Sequence, residues 1–585
     1  MSSSTLTDPK APPPPPPGVG NIKQAWLPEK VIHYGVWILA VLLILGPIVP
    51  IVWSSLWSTP LYEGGGSGTL DNFRKLATDP LWWSAVANSL QFAVFATIGS
   101  VLVGTTVALL VARTDLPLRR LYSALIVLPL VLPGLVLIVG WQSMWSKNGY
   151  ATHLLEQYTP FTVPFDLYSV AGMVVMGTVL GSPVVYLFAR GTLSSGDSTL
   201  EEAARCAGAG PLRALLSVTL PLLRPALLNS GLLVFALALE TLGIPLILGT
   251  SKNIDMMSTY LYRQWTGSAD GGGGVLPAGA VMLLLAVTLL LLLRNRLAGD
   301  LARFTTTGGK SSRPANVVKL GPLGWLLSAG VGIVLGCATL VPLSGVVLAS
   351  FTAVLTPAIN PFSLLTLDHF SAILTNPLYT GAIGNSLLIA TVGAAIATAC
   401  IAVIALVAHR SSFRFRGSLE HIVLYPRAVP GLITGMAFFW TFAILDQSGT
   451  FRATLWAVGI AFGVRALAMG YAAFYPSLAA LGADLDRAAR SAGADWWTAM
   501  RTIILSLLRP AMGISYVLLF VAMLNEADAA VFLVTPETQV LGLAMLQIAA
   551  NGLGGTVAAL GVIQLVITAA VLGAGRILFG VRPNV

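Results

Sequence analysis

Charge is scarce in this sequence. Only 10% of its 585 residues are Asp, Glu, Lys or Arg, against 56% hydrophobic. A soluble domain carries roughly 25% charged residues, so a chain of this composition cannot cover a water-facing surface; its mean hydropathy of +0.81 agrees. A soluble multidomain enzyme, a disordered regulator and a secreted disulfide scaffold are excluded. Cysteine is nearly absent: Cys206, Cys337 and Cys400 are too few and too scattered for a disulfide framework or a four-ligand zinc site. His33, His153, His369, His409 and His421 are equally dispersed, and no metal cluster is expected. Acidic residues are outnumbered, giving a net charge of +9. That balance would suggest nucleic acid in a soluble protein, but in a membrane protein excess Lys and Arg marks cytoplasmic loops.

What is present is a series of apolar runs behind a polar tail. Residues 1–30 hold Ser2 to Ser4, the run Pro12 to Pro17, and Lys10, Lys23 and Lys30. Consecutive prolines favour an extended polyproline chain and build no core, so a disordered, solvated tail is predicted, with partner binding by the proline run as the alternative. The first apolar stretch, 31–57, lacks a small-residue cleavage site and reads as an uncleaved anchor. A bilayer needs about 20 apolar residues per helix. Candidates fall at 31–57, 85–112, 121–145, 168–189, 225–249 and 275–293, then at 323–350, 382–408, 419–445, 454–476, 510–535 and 553–579. The fourth and tenth are short and carry Gly, Pro or Arg.

Twelve spans put both termini on one side, and the charges choose which. Of the 33 basic residues, 25 fall in the tails and the loops on the terminal side. They include Arg113, Arg119 and Arg120 after the second candidate, and Arg410, Arg414 and Arg416 after the eighth. Arg74, Lys75, Lys147, Lys252, Arg263 and Arg452 fall on the other side, and Arg427 and Arg465 within spans. Both termini are therefore expected in the cytoplasm. Nucleic-acid binding would need a basic domain, and no such domain is evident.

The chain repeats itself. Asn88-Ser89-Leu90 and Pro133-Gly134-Leu135 recur as Asn385-Ser386-Leu387 and Pro430-Gly431-Leu432, 297 positions on. Ala203-Ala204-Arg205, Ala207-Gly208-Ala209 and Leu223-Arg224-Pro225-Ala226 recur as Ala488-Ala489-Arg490, Ala492-Gly493-Ala494 and Leu508-Arg509-Pro510-Ala511, 285 positions on. The second copy has thus lost about a dozen residues in an external loop. Two six-span halves of the same orientation imply a parallel duplication with a central pathway between them, an arrangement found in several transporter classes. The expected division is a tail at 1–30, a first half at 31–296, a linker at 297–322 and a second half at 323–585.

The segment from Leu200 to Pro225 carries the most specific signal. Ser198 and Glu201 fit a capping box, the alanines form a short helix with a small-residue face, Gly208 and Gly210 end it, and Pro211 suits the first turn of the next helix. Such a face can enter a partner's groove closely, with Glu201, Glu202 and Arg205 at its rim. A helix lying on the membrane would want large apolar residues opposite lysines, which the segment lacks.

This segment resembles the EAA loop of the binding-protein-dependent permeases of bacterial ATP-driven importers, in which it is the coupling helix that docks into a cleft of the cytoplasmic ATPase. The resemblance implies ATPase contact for Glu201, Glu202, Ala203, Ala204, Arg205 and Gly208 in the first copy. In the second it implies the same for Asp486, Ala488, Ala489, Arg490 and Gly493. Asp486 replaces Glu there, Arg487 stands where the first copy has Glu202, and Ser506 where it has Pro221, so weaker or asymmetric docking at 484–496 than at 198–212 is expected. The family's fold is all-α, with twelve membrane helices in two parallel six-helix repeats. It further implies a bacterial inner-membrane location in contact with lipid, two copies of an ATPase that binds ATP and Mg, and a periplasmic substrate-binding protein. No cofactor and no enzymatic activity are expected in this chain itself. Gly309-Lys310-Ser311 has Phe304 where a phosphate loop requires Gly, so that stretch reads as linker.

Charges inside spans are costly and are functional candidates. Glu240 lies about 22 Å along a helix from Pro225, towards the external end. Glu526 holds nearly the same place in the second half, beside Asp528. These three carboxylates would attract a cation; pairing with Arg427, Arg465 or helix ends is the plainer alternative. Arg465 reads as a packing or hinge partner near the coupling loop. Pro129, Pro133, Pro426 and Pro430 fit static kinks in the third helix of each half. The fused architecture, and the stretch from Asn525 to Leu541, are most similar to the ferric-iron permeases. Permeases for thiamine, 2-aminoethylphosphonate or polyamines share much of the pattern. An ion-driven secondary transporter is the rival class, its intramembrane acids then being ion sites. A membrane enzyme would need a catalytic cluster that is not evident.

Overall fold

The structure is a computed structural model describing residues 26–59, 65–195, 199–267, 273–301, 317–482 and 484–579. Most of the Pro-rich tail, Ser198 and Gly309-Lys310-Ser311 lie outside them. The described residues are helical apart from loops and three isolated β-bridges.

Eight helices are long and apolar enough to cross a bilayer in one piece: Glu29–Ser55, Pro80–Arg113, Val170–Ser194, Leu215–Glu240, Leu323–Phe351, Pro377–Arg410, Leu455–Ala480 and Gly554–Phe579. Three bent pairs add Arg119–Val131 with Gly134–Tyr158, Arg416–Ala428 with Gly431–Leu445, and Trp496–Leu507 with Arg509–Leu524. Helix Val275–Leu301, apolar over Val275–Leu290, stands at the sixth place. In chain order these are spans 1 to 12, in the expected sequence.

The third spans are broken rather than kinked. Both bent pairs turn through 109°, and the turn falls at Leu132-Pro133 and Val429-Pro430. A residue before proline is pushed out of the helical region. Leu132 and Val429 accordingly take extended backbone, with ψ of 143° and 116°. Spans 5 and 11 differ from expectation too. Span 5 occupies Leu215–Glu240 instead of 225–249, and span 11 occupies Arg509–Leu524 instead of 510–535. Both stop at a polar pair, Glu240-Thr241 and Asn525-Glu526, and in span 11 the Leu524 carbonyl at the helix end accepts from Gln564 at 3.1 Å.

The two halves are built alike down to their hydrogen bonds, which explains why Asn-Ser-Leu recurs. Ser89 and Ser386 each accept from the first amide of a short helix, Met257–Gly267 at 2.8 Å and Leu541–Ala550 at 2.7 Å. Asn88 donates to the Asp255 carbonyl at 3.0 Å, and Asn385 to the Gln539 carbonyl at 3.0 Å. The residues missing from the second half belong to the loop after span 3, where the first half alone has helix Tyr150–Tyr158. Small residues let spans 2 and 4 approach closely: a Cβ on Gly104 would sit 2.7 Å from the Ser182 carbonyl oxygen, and one on Gly181 2.4 Å from Ser100 Oγ.

The first span of each half packs on the opposite half. Trp37 of span 1 donates to Ser418 at 2.8 Å, and Trp141 and Trp145 of span 3 donate to the carbonyls of Ala338 and Cys337 in span 7, each at 3.0 Å. Tyr122 Oη lies 2.7 Å from Ser328 Oγ, also in span 7. The halves are thereby clasped at both flanks.

Candidate functional site

Two places concentrate the polar residues: the duplicated loops after spans 4 and 10, and a charge cluster where the halves meet. In the first loop, helix Thr199–Cys206 ends at Gly208, whose φ is +87°. In the second, helix Asp484–Ser491 ends at Gly493, φ +90°. The amide of Ala209 donates to the Ala204 carbonyl at 3.0 Å and that of Ala494 to Ala489 at 3.1 Å, which is the Schellman closure that a left-handed residue permits. Each chain then enters a second short helix, Pro211–Ala214 or Trp496–Ala499.

The outward face of both loops is small. Ala203, Ala207 and Gly208 are exposed in the first, Ala488, Ala492 and Gly493 in the second. A Cβ on either glycine would meet nothing within 4 Å. Ala204 is half-buried and Ala489 buried beneath this face; Arg205 is exposed and Glu202 half-buried, and Arg490 lies on the second helix.

The acidic residues point the other way. Glu201 turns inward to Arg113 at the end of span 2, Oε1 to Nη2 3.3 Å, and accepts from Thr219 at 2.7 Å. Asp486 meets Arg410 at the end of span 8, Oδ2 to Nη1 3.2 Å. Arg410 also donates to the carbonyls of Leu478 at 2.9 Å and Leu481 at 2.6 Å, closing the end of span 10. Each loop is therefore riveted to the second span of its own half. Each rivet holds its loop at the end of its own half where span 2 or span 8 finishes, so each third span, though broken, carries the chain across that half. In the sequence Arg113 and Arg410 read only as topology charges. Their signal was available: they stand 297 positions apart while their acids stand 285 apart, so both members of the pair belong to the repeat.

The second place joins the halves. Arg465 Nε lies 2.8 Å from Glu526 Oε2, and its Nη2 lies 3.6 Å from Glu240 Oε1. All three side chains are at most 20% exposed. Glu526 and Arg465 belong to the second half and Glu240 to the first. Asp528 and Arg427 are close enough for their charges to act on this group. The plainer alternative, pairing with arginine, is thus what the geometry has for Glu240 and Glu526. Arg465 is not near the loop at 484–496: it stands about 15 Å into Leu455–Ala480 from the opposite end, at 1.5 Å per residue. Gly431 makes its room, since a Cβ there would lie 2.4 Å from Arg465 Nη1. Among the described residues no three His, Cys, Asp or Glu side chains come together as a metal cage. Elsewhere between the halves, Trp265 of the first packs edge-on between Phe439 and Phe532 of the second, both centroids 5.0 Å away. No periodicity in the sequence announced that contact.

The chain matches the family model described as binding-protein-dependent transport system inner membrane component over residues 96–303 and 398–579, once in each half. It is 28% identical over 474 residues to a protein named as a ferric transport system permease of Haemophilus influenzae, covering 78% of this chain and 71% of that one. It is 27% identical over 500 residues to a ferric transport system permease of Actinobacillus pleuropneumoniae, covering 83% and 70%. A protein named as a 2-aminoethylphosphonate transport system permease of Salmonella typhimurium is 27% identical over 228 residues, 39% of this chain and 79% of its own.

Proposed function

We propose that this chain, which belongs to the family of binding-protein-dependent transport system inner membrane components, carries ferric iron through an ATP-driven importer. The observation that carries the importer reading is the pair of small-faced, glycine-closed loops, each fixed by a buried ion pair to a membrane span. Ferric iron is supported by two relatives that parallel most of the chain, both named for ferric transport. The 2-aminoethylphosphonate relative parallels 39% of it.

In this reading the termini and both loops face the cytoplasm, and two copies of a separate ATPase, which binds ATP and Mg, seat on residues 198–212 and 484–496. A periplasmic binding protein delivers the substrate to the opposite side. Residues 1–30 form a tail, 31–296 and 323–585 the two halves, and 297–322 a cytoplasmic linker. Docking uses the exposed alanines and Gly208 or Gly493 as a close-contact surface. Glu201 and Asp486 act from behind that surface, transmitting its movement through Arg113 and Arg410 to spans 2 and 8. Glu240, Glu526 and Asp528 face the pathway, where hard carboxylate oxygens suit a hard cation.

The test is reconstitution of the permease with its ATPase and binding protein in vesicles, followed by uptake of labelled ferric iron. Replacing residues 198–212 and 484–496 with unrelated linkers is expected to abolish ATP-dependent uptake while leaving membrane insertion intact. Unimpaired uptake by that variant refutes the coupling role, and uptake of 2-aminoethylphosphonate or a polyamine in place of iron refutes the substrate.

A further inference from the structure

We propose that the contact between Glu240 and Arg465 is a latch between the two halves, and that it is drawn open from the first coupling loop rather than from both. The proposal rests on the reading that residues 198–212 receive the movement of the ATPase. Its geometry is unequal by construction. Arg465 is held within its own half by Glu526 at 2.8 Å, and Glu526 is itself held by the Ala529 amide, which donates to Oε1 at 3.1 Å. The contact across the halves is the longer one, 3.6 Å to Glu240. A separation of the halves therefore breaks the ion-pair contact with Glu240 first and leaves Arg465 aimed by Glu526.

The two connections from loop to cluster also differ. In the first half the chain is helical without a break from Pro211 to Glu240. Its span Leu215–Glu240, 26 residues long, is a rod of about 39 Å whose last residue is the latch carboxylate. In the second half the corresponding path bends by 73° between Trp496–Leu507 and Arg509–Leu524. A push on the first loop is delivered along a helix to Glu240; a push on the second is turned aside before it reaches Glu526. The unequal loop sequences, with Asp486 for Glu and Ser506 for Pro221, fit this division.

A latch of this kind biases the equilibrium towards the arrangement seen here, and releasing it shifts the population towards the state in which the ATPases engage. The experiment measures ATP hydrolysis by the assembled permease–ATPase complex in lipid nanodiscs, with and without binding protein. Two variants loosen the latch by different means: Glu240→Gln removes the charge, and Gly431→Ala displaces the Arg465 guanidinium while keeping every charge. Both are expected to raise hydrolysis in the absence of binding protein by roughly tenfold, a shift of about 1.4 kcal/mol. Glu240→Asp, which keeps the charge but shortens its reach to Arg465, is expected to raise idle hydrolysis less than Glu240→Gln does. A Glu240→Cys/Arg465→Cys chain, with Cys206, Cys337 and Cys400 changed to Ser, is expected to lose hydrolysis when bridged by a short dithiol-reactive linker and to regain it when the bridge is cleaved. Idle hydrolysis unchanged in both loosened variants, or full hydrolysis by the bridged chain, overturns the latch. A complex whose stimulation by binding protein survives replacement of residues 198–212 overturns the coupling reading beneath it. Loss of stimulation on that replacement together with unaltered Glu240→Gln and Gly431→Ala overturns the latch alone.

Discussion

Replacing Arg410 with Ala tests the rivet between loop and span. The guanidinium is 8% exposed and its partner Asp486 15%. The substitution removes an ion pair at 3.2 Å and two donated bonds to span-end carbonyls at 2.9 and 2.6 Å. Breaking one side of a buried pair costs about 3–5 kcal/mol, and residual exposure on the Asp486 side places this case near the lower figure. A local opening made easier by about 3 kcal/mol raises amide exchange on the order of a hundredfold. Hydrogen exchange read by mass spectrometry over 484–494 is therefore expected to speed up by that factor in Arg410→Ala. Asp486→Asn, which keeps an acceptor oxygen, is expected to give about tenfold, or roughly 1.4 kcal/mol. Exchange over 199–209 should not move in either, since that loop is held by Arg113 and Thr219 instead. Unaltered exchange at 484–494 in a folded Arg410→Ala chain would refute the idea that the pair holds the loop.

Other substitutions probe neighbouring features. Gly208→Ala and Gly493→Ala force a side chain into a left-handed residue, at about 1 kcal/mol each; neither meets a steric obstacle. Both should weaken co-purification of the ATPase while membrane fractionation finds the permease inserted at its usual level. Ala203→Trp and Ala488→Trp place bulk on the exposed small face and should abolish ATP-driven uptake without affecting insertion, as measured by membrane fractionation. Ser89→Ala and Ser386→Ala each remove the acceptor for a helix-terminal amide. Each should lower stability by about 1 kcal/mol, read as an earlier loss of solubility on heating in detergent.

The order of the spans and the duplication were legible because hydropathy and repeated short motifs depend only on local composition. The loops were legible because a glycine after an alanine-rich turn stops a helix wherever it occurs. Hydropathy is blind to direction, however, so the apolar stretches 121–145 and 419–445 read as single helices although a proline turns each by 109°. It was equally blind to the ends of spans 5 and 11, since apolar residues resume at Leu242 and Ala529 although the backbone has left the helix. The rivets and the latch join residues far apart in the chain, and one-dimensional periodicity carries no such distances. Arg113 and Arg410 look like loop charges in the sequence, and Arg465 like a packing or hinge partner near the second loop, whereas the fold joins it to Glu240 and Glu526.

The account stands most directly on the energy source. Vesicles holding the permease, its ATPase and its binding protein should take up labelled ferric iron when ATP is supplied on the side of the loops, and should stop when residues 198–212 and 484–496 are replaced. Uptake that follows an imposed ion gradient without ATP, and continues with both loops replaced, would contradict it.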